Sequence, residues 1–504
     1  MRETHISWVF LVGDRAYKLK KPLVLPFVDY GTATRRREMC LEEVRLNRRL
    51  APSIYLGVRG ITRTPDGLQL CAASDSRAVD YVVEMRRYDE DRTLAATLQR
   101  RELTNPEIAD VARTLAGFHA GSPGVSGPDY GAHRVEREVD RNLEELLAVT
   151  ERRSERARMR ALARFMSAFV DSRWRELDER GSMACVRECH GDLRAEHVVL
   201  ETPLSVVDCV EFDASLRTLD VADDLAFLVM DLAALDGEEF SGPLVEAYRA
   251  AGGTPGDDPL LAFYAVHRAL VRAKVLLVRA AQHPPGSVPH QTSSSKAREL
   301  LDLAERFSWQ ARLPLAIVFC GVPASGKSYL ANEIAKRSRL PHLSSDLIRK
   351  QLAGRRPTQA AAPEHYSDEF SQTTYAQLGH RAASEVAQGG GVLVDATFRR
   401  RRDRVAFAHA FADAAPLLFV ECLTPADVLI ERGRARERDP DRVSDATLEI
   451  VMREHDSWEP LDELTSLHHV PLRTDRPVES ITADLVALLD QRPCADPDRE
   501  ASVQ

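Results

Sequence analysis

Gly321-Val322-Pro323-Ala324-Ser325-Gly326-Lys327-Ser328 is the stretch around which this 504-residue chain is organised. It meets every fixed position of the pattern G-x-x-x-x-G-K-[ST] and directly follows the apolar run Leu315–Cys320. That arrangement is a strand feeding a helix across a glycine-bearing turn. Backbone N–H groups of such a turn can close on an anion, Lys327 can reach β- and γ-phosphates, and the Ser328 hydroxyl can ligate Mg²⁺. The octet is therefore expected to bind a nucleoside triphosphate, ATP or GTP, with Mg²⁺.

Downstream, Gly391–Asp395 reads as a buried strand ending in an acid, and Asp395 is placed to support the metal. Asp346 follows a short strand with Arg349 one helical turn later. The carboxylate is suited to orienting an acceptor hydroxyl, and the arginine to holding substrate or phosphate. A strand near residues 416–421 leads into a helix with arginines at 432, 434, 436 and 438. Arg432 and Arg436 share one face of it, and residues 439–446 break it. Strands alternating with helices predict an α/β domain with a mostly parallel sheet and the nucleotide at the strand C-termini. Residues 399–404 hold five arginines, which fit either an entry for phosphate-rich acceptors or a solvated helix start.

The front half has a different character. Short runs at residues 8–12 and 16–19 flank Gly13-Asp14 and predict a β-hairpin that puts Lys18 and Lys20 on one face. A helix over residues 34–50 carries Glu42 and Glu43, and residues 81–85 form another strand. Helices then follow at 105–120, 134–149 and 155–180, which predicts a small sheet lobe joined to a larger helical lobe. Within the helical part, His190-Gly191-Asp192 precedes a strand pair and the carboxylates Asp208, Glu211, Asp213, Asp220, Asp223 and Asp224. One carboxylate to take a hydroxyl proton and others to hold Mg²⁺ is what a phosphotransferase requires.

Composition narrows the possibilities. A net charge of −9 argues against a dedicated nucleic-acid coat. Lysine is scarce, eight against sixty arginines, and three of the eight fall at positions 18, 20 and 21. Eight cysteines without framework spacing predict reduced thiols, and the group Cys185, Cys189, His190 and Cys209 lacks metal-site spacing. No signal-peptide pattern or membrane span is read, so a cytoplasmic protein without a membrane partner is expected. Residues 283–295 are rich in Pro, Gly and Ser. The expected division is residues 1–285, a linker and connecting helix at 286–311, a nucleotide-binding domain at 312–492, and a disordered tail at 493–504.

The motif at residues 190–192 resembles the catalytic loop H-G-D-x-x-x-x-N of aminoglycoside phosphotransferases and other protein-kinase-like small-molecule kinases, over roughly residues 1–285. The resemblance implies a bilobal α+β kinase fold with Asp192 as catalytic base, Lys18 on the phosphates and Glu43 (or Glu42) as its helix partner. It also implies a hinge at residues 84–87 beside adenine. Asp208 would be the metal carboxylate by its V-V-D setting, while Glu211 and Asp213 fit the spacing to Asp224 better. Two departures stand out: His197 occupies the metal-binding Asn position, and no glycine-rich loop precedes Lys18. Over residues 312–490 the chain looks like P-loop kinases of the polynucleotide kinase, gluconate kinase and zeta-toxin group, whose lid arginines would correspond to Arg432 and Arg436. The order of the halves resembles fused bacterial proteins joining these two domain types.

The expected function is an ATP- and Mg²⁺-dependent phosphotransferase with a P-loop centre and a second kinase-like centre, acting on a hydroxyl-bearing small molecule or a nucleic-acid end. Two other functions fit parts of the pattern. One is a nucleotide-gated regulator with a non-catalytic front half, and the other is a polynucleotide 5′-hydroxyl kinase.

Overall fold

The hairpin forms around Gly13, whose φ of +57° suits the tight reversal. In the computed structural model, strands β1 (Arg2–Glu3), β2 (Ser7–Val12) and β3 (Arg15–Lys20) open the chain. Helix α1 (Ala33–Asn47) follows, and then β4 (Tyr55–Thr64), β5 (Gly67–Ala72) and β6 (Asp80–Arg86). They make one six-stranded sheet in the order β1-β2-β3-β6-β4-β5, antiparallel throughout. Helix α1 covers one face, burying Cys40 and Val44 against Ala16, Tyr55, Val83 and Met85. The short strand β1 precedes the lysine hairpin. Thr4 and His5, at the position of the missing glycine-rich loop, lie outside the described residues.

The structure describes residues 1–3, 6–25, 28–438, 446–465 and 468–491, with the backbone alone at 25, 436 and 437. It divides into two units, the first comprising Met1–Thr150 and Arg173–Ala304, the second Glu151–Ser172 and the chain from Glu305 onward. In the first unit the sheet is followed by α2 (Asn105–Gly121) and α3 (Ala132–Ala148). The chain then contributes α4 (Arg153–Ser172) to the second unit before returning with α5 (Val221–Ala234) and α6 (Asp258–Ala281). The single helix expected over 155–180 is thus two, parted at Arg173, where φ is −110° and ψ 20°. Helix α5 is buried along nearly its whole length, and α6 packs on it with the buried pair Arg268–Asp223 at 2.6 Å. Among the described residues, no helix is long and apolar enough to cross a membrane. The segment read as a linker is helical from Val288, in α7 (Val288–Gln310).

The second unit is built on five parallel strands: β7 (Leu315–Cys320), β8 (His342–Ser344), β9 (Gly391–Asp395), β10 (Leu417–Leu423) and β11 (His469–Arg473). Their order is β8-β9-β7-β10-β11. Both faces are covered, which is why the central strands read as continuous apolar runs. One face packs Ile317, Phe319, Leu393 and Val420 against α8 (Lys327–Ser338) and α14 (Val478–Asp490). The other packs Val318, Val394 and Phe419 against α10 (Asp368–Gly389) and α11 (Arg401–Phe411). Helices α9 (Ser345–Leu352), α12 (Ala426–Glu437) and α13 (Leu448–Asp456) complete it. Residues 439–445 of the expected helix break at 439–446, and the tail from 493, lie outside the described residues.

Candidate active sites

In the second unit the octet forms the turn between β7 and α8, at the C-terminal edge of the sheet. Gly321 and Gly326 take φ values of +146° and +90°, and Ala324 is held at +69°. A Cβ on Gly321 would meet the Ser325 hydroxyl at 2.8 Å and the Cys422 carbonyl at 2.9 Å, so glycine is required there. Lys327 and Ser328 open α8, where the helix N-terminus favours negative charge. An open pocket above the turn is lined by Ala324, Gly326, Lys327, Ser328, Tyr329 and Arg432.

Beneath it, the Ser328 hydroxyl donates to Asp395 Oδ2 at 2.8 Å. The other oxygen of Asp395 pairs with His342 Nε2 at 2.5 Å, and His342 Nδ1 contacts Asn332 Oδ1 at 3.0 Å. Register explains the meeting: Asp395 lies opposite both Phe319 and Ser344, at the end of the central strands. A hydroxyl beside a carboxylate at the phosphate turn is a hard-oxygen donor set and suits Mg²⁺.

Arg432 reaches the turn from α12. Its Nη2 donates to the Thr474 carbonyl at 2.8 Å, while Nη1 is buried with no partner among the described residues. Thr474 and Thr424 hydroxyls both donate to the Ser325 carbonyl, at 2.6 and 3.1 Å, tying the turn to the ends of β10 and β11. The side chain of Arg436 lies outside the described residues. Asp346 stands half-buried in the first turn of α9. Arg349 Nη1 donates to the His365 carbonyl at 2.7 Å and the Ser371 hydroxyl at 3.2 Å, while its Nε is buried with no partner among the described residues. The arginines near 400 are also committed. Arg399 donates to the Ser457 hydroxyl at 2.8 Å, Arg400 and Arg402 pair with Asp368, and buried Arg404 pairs with Glu463 and the Phe398 and Pro460 carbonyls. Four of the five are tied to neighbouring groups; Arg404 is buried, while Arg399 to Arg402 are part-exposed or exposed, as a solvated helix start would be.

One acidic residue in this region carried no motif. Burial pushes the Glu454 carboxyl above its ordinary value, and Asp346 adds to the rise while Lys327 and Arg399 oppose it.

In the first unit, Lys18 Nζ lies 2.8 Å from Glu43 Oε1 and 2.6 Å from Asp208 Oδ1. Lys20 Nζ takes the other Glu43 oxygen at 2.6 Å and pairs with Glu211, whose Oε1 also accepts from the Tyr30 hydroxyl at 2.7 Å. Burial opposes the charge on Lys18, but Asp208 and Glu43 outweigh it and hold its pKa well above the ordinary value. Glu42 instead pairs with Arg45 and Arg217, so Glu43 is the lysine's helix partner. Asp213 caps its own turn through Ser215, at 2.8 Å to the backbone and 2.7 Å to the hydroxyl. Asp208 is therefore the carboxylate that the fold brings to Lys18. It stands at φ +66°, a left-handed turn just after the short strand Ser205–Val206.

The catalytic-loop motif is clamped from α5. Asp224 accepts from the backbone N–H groups of His190 and Gly191 at 3.0 and 2.9 Å, and Asp231, two turns on, from that of Ala195 at 2.8 Å. His119 Nε2 also reaches Asp224 at 3.1 Å, beside the buried Cys189 thiol. Burial drives His190 down to about 4, against an opposing pull from Asp224. Asp192 is covered by Arg194, whose Nε lies 3.1 and 3.2 Å from its two oxygens. Arg194 Nη2 also contacts His197 Nε2 at 3.1 Å, and His197 Nδ1 contacts the Asp192 carbonyl at 2.9 Å. A guanidinium can only donate, so in this contact Arg194 occupies the Nε2 of His197 as its acceptor. One carboxylate, Asp208, remains as a hard donor, and the set fits Mg²⁺ less completely than that of the second unit.

Comparison with known proteins agrees with both halves. Residues 10–264 match the model of a phosphotransferase enzyme family, and residues 317–461 match an AAA domain model. Uncharacterized proteins of Mycobacterium tuberculosis and Mycobacterium bovis are 30% identical over 459 residues, covering 90% of this chain and 88% of theirs. Among solved structures, a sugar kinase from Janibacter sp. HTCC2649 shares 19% identity with a TM-score of 0.29, covering 35% of this chain and 95% of its own. A gluconokinase from Sinorhizobium meliloti 1021 shares 21% with a TM-score of 0.28, covering 38% and 99%. The chain belongs to the phosphotransferase enzyme family through its N-terminal half, and joins that domain to one that matches the AAA domain model.

Proposed function

We propose that the protein is an ATP- and Mg²⁺-dependent phosphotransferase whose working centre is the P-loop site. The observation that carries this is the Ser328–Asp395 contact beneath a phosphate turn faced by the unpartnered Nη1 of Arg432. Ser328 and Asp395 would hold Mg²⁺, which when bound neutralises charge on the phosphate oxygens. The backbone N–H groups of the turn and Lys327 bind the β- and γ-phosphates. Asp346 takes the proton of the acceptor hydroxyl as that oxygen bonds to the γ-phosphorus. The bond from the γ-phosphorus to the bridging oxygen breaks, and ADP leaves. Arg432 lies where it can neutralise charge on the transferring group.

Incubating the purified protein with ATP, Mg²⁺ and a pool of hydroxyl compounds tests this. A phosphorylated product formed one-for-one with ADP, and lost in Lys327→Ala, is expected. ADP without any product would instead favour a nucleotide-gated regulator. That second reading draws on the first unit, where Arg194 covers Asp192 and His197 stands in place of a metal-binding Asn.

A further inference from the structure

The first turn of α8 presents four side chains in succession, and three of them are engaged. Lys327 and Leu330 are buried, and Ser328 donates to Asp395. Tyr329 is the exception. It is a large aromatic side chain left 64% exposed, and its ring and hydroxyl make no hydrogen bond, ring contact or cation contact among the described residues. It nonetheless lines the open pocket above the phosphate turn, with Ala324, Gly326, Lys327, Ser328 and Arg432.

A nucleoside triphosphate with its β- and γ-phosphates on Lys327 and the turn must lead its ribose and base out through this pocket. The metal side is occupied by Asp395, His342 and Asn332, which are bonded to one another. Arg432 stands close over the turn, with Nη2 tied to the Thr474 carbonyl and Nη1 3.3 Å from where a Cβ on Gly326 would lie. Of the six lining residues Tyr329 is the aromatic one, and aromatic faces hold nucleobases by stacking. None of the six has a carboxylate or amide side chain, the groups that tell one base edge from another.

We infer that Tyr329 forms the base subsite of the P-loop centre and holds the nucleotide by stacking on its base. Every base has a π-face, so ATP and GTP are bound alike. This rests on the P-loop reading above and adds to it the way the nucleotide is chosen.

The test is calorimetric titration of the full chain, in Mg²⁺, with ATP, GTP and inorganic tripolyphosphate. Binding that disappears in Lys327→Ala is the share of the P-loop site, whatever the first unit binds. Kd values for ATP and GTP within about threefold of each other are expected, both about tenfold or more below that for tripolyphosphate. Tyr329→Leu keeps apolar bulk without the ring and should weaken ATP and GTP about tenfold, with tripolyphosphate changed less than about twofold. Tyr329→Phe should bind as the wild type does. An unchanged ATP Kd in Tyr329→Leu, an equal loss for tripolyphosphate, Tyr329→Phe behaving like Tyr329→Leu, or ATP and GTP differing more than about tenfold would overturn the inference. Absence of any Lys327-dependent binding is a separate result, which would bring down the P-loop reading and this inference with it.

Discussion

Asp395 accepts on both oxygens, from Ser328 on one side and His342 on the other, so its orientation is fixed before any ligand arrives. Asp395→Asn keeps the shape and removes the charge. It is expected to raise the Mg²⁺ concentration for half-maximal turnover about tenfold or more, read by a metal titration at fixed ATP. His190 carries a pH consequence. Its pKa falls from an ordinary 6.5 unfolded to about 4 folded. Above pH 6.5 both states are neutral and it contributes no pH dependence. As pH falls from 6.5 toward 4 the unfolded chain takes up the proton first, so this residue destabilises the fold in that window. An imidazole still neutral at pH 5.5 by NMR is the expected reading. At this scale the sequence was only partly legible. Lys18 and Glu43 could be read because strand and helix periods place them. The choice between Asp208 and Asp213 could not, because it depends on a left-handed turn at Asp208 that no local pattern announces. Thr474 and His342 reach their site through tertiary packing, from stretches without a motif.

Helix α5 organises the loop that carries Asp192. Asp224 and Asp231, seven residues apart and so on one face, hold the backbone at His190, Gly191 and Ala195. Asp224→Ala leaves two buried N–H groups without that acceptor and is expected to cost about 3 kcal/mol in denaturant unfolding. The strands of the P-loop sheet were legible as apolar runs because both faces are covered. Helix boundaries were less so. The stretch 283–295 looked like a linker from its Pro and Gly content, yet its second part is the start of α7, after the turn at Gly286. The arginine-rich start of α11 was legible only in part for a different reason: composition shows charge but not the carboxylates and carbonyls that meet it.

At the scale of the molecule, the two units are not two consecutive stretches of chain. Helix α4 is written inside the phosphotransferase match yet belongs to the P-loop unit, where it packs on α14 and the guanidinium of Arg312 lies 4.3 Å from the ring centre of Phe165. Its pattern of Met159, Leu162, Phe165, Met166 and Phe169 announced a buried face but not which unit buries it. Phe165→Ala is expected to destabilise the P-loop unit by about 3 to 5 kcal/mol, seen as faster proteolysis of the chain after residue 305. The central claim is that phosphate transfer belongs to the P-loop centre. The most direct measurement is the rate of ADP formation, with Mg²⁺, by the wild-type protein, Lys327→Ala and Asp192→Ala. The account predicts a loss of at least about a hundredfold in Lys327→Ala, with Asp192→Ala retaining most of the wild-type rate. Retention in Lys327→Ala with loss in Asp192→Ala would contradict it and move the chemistry to the first unit.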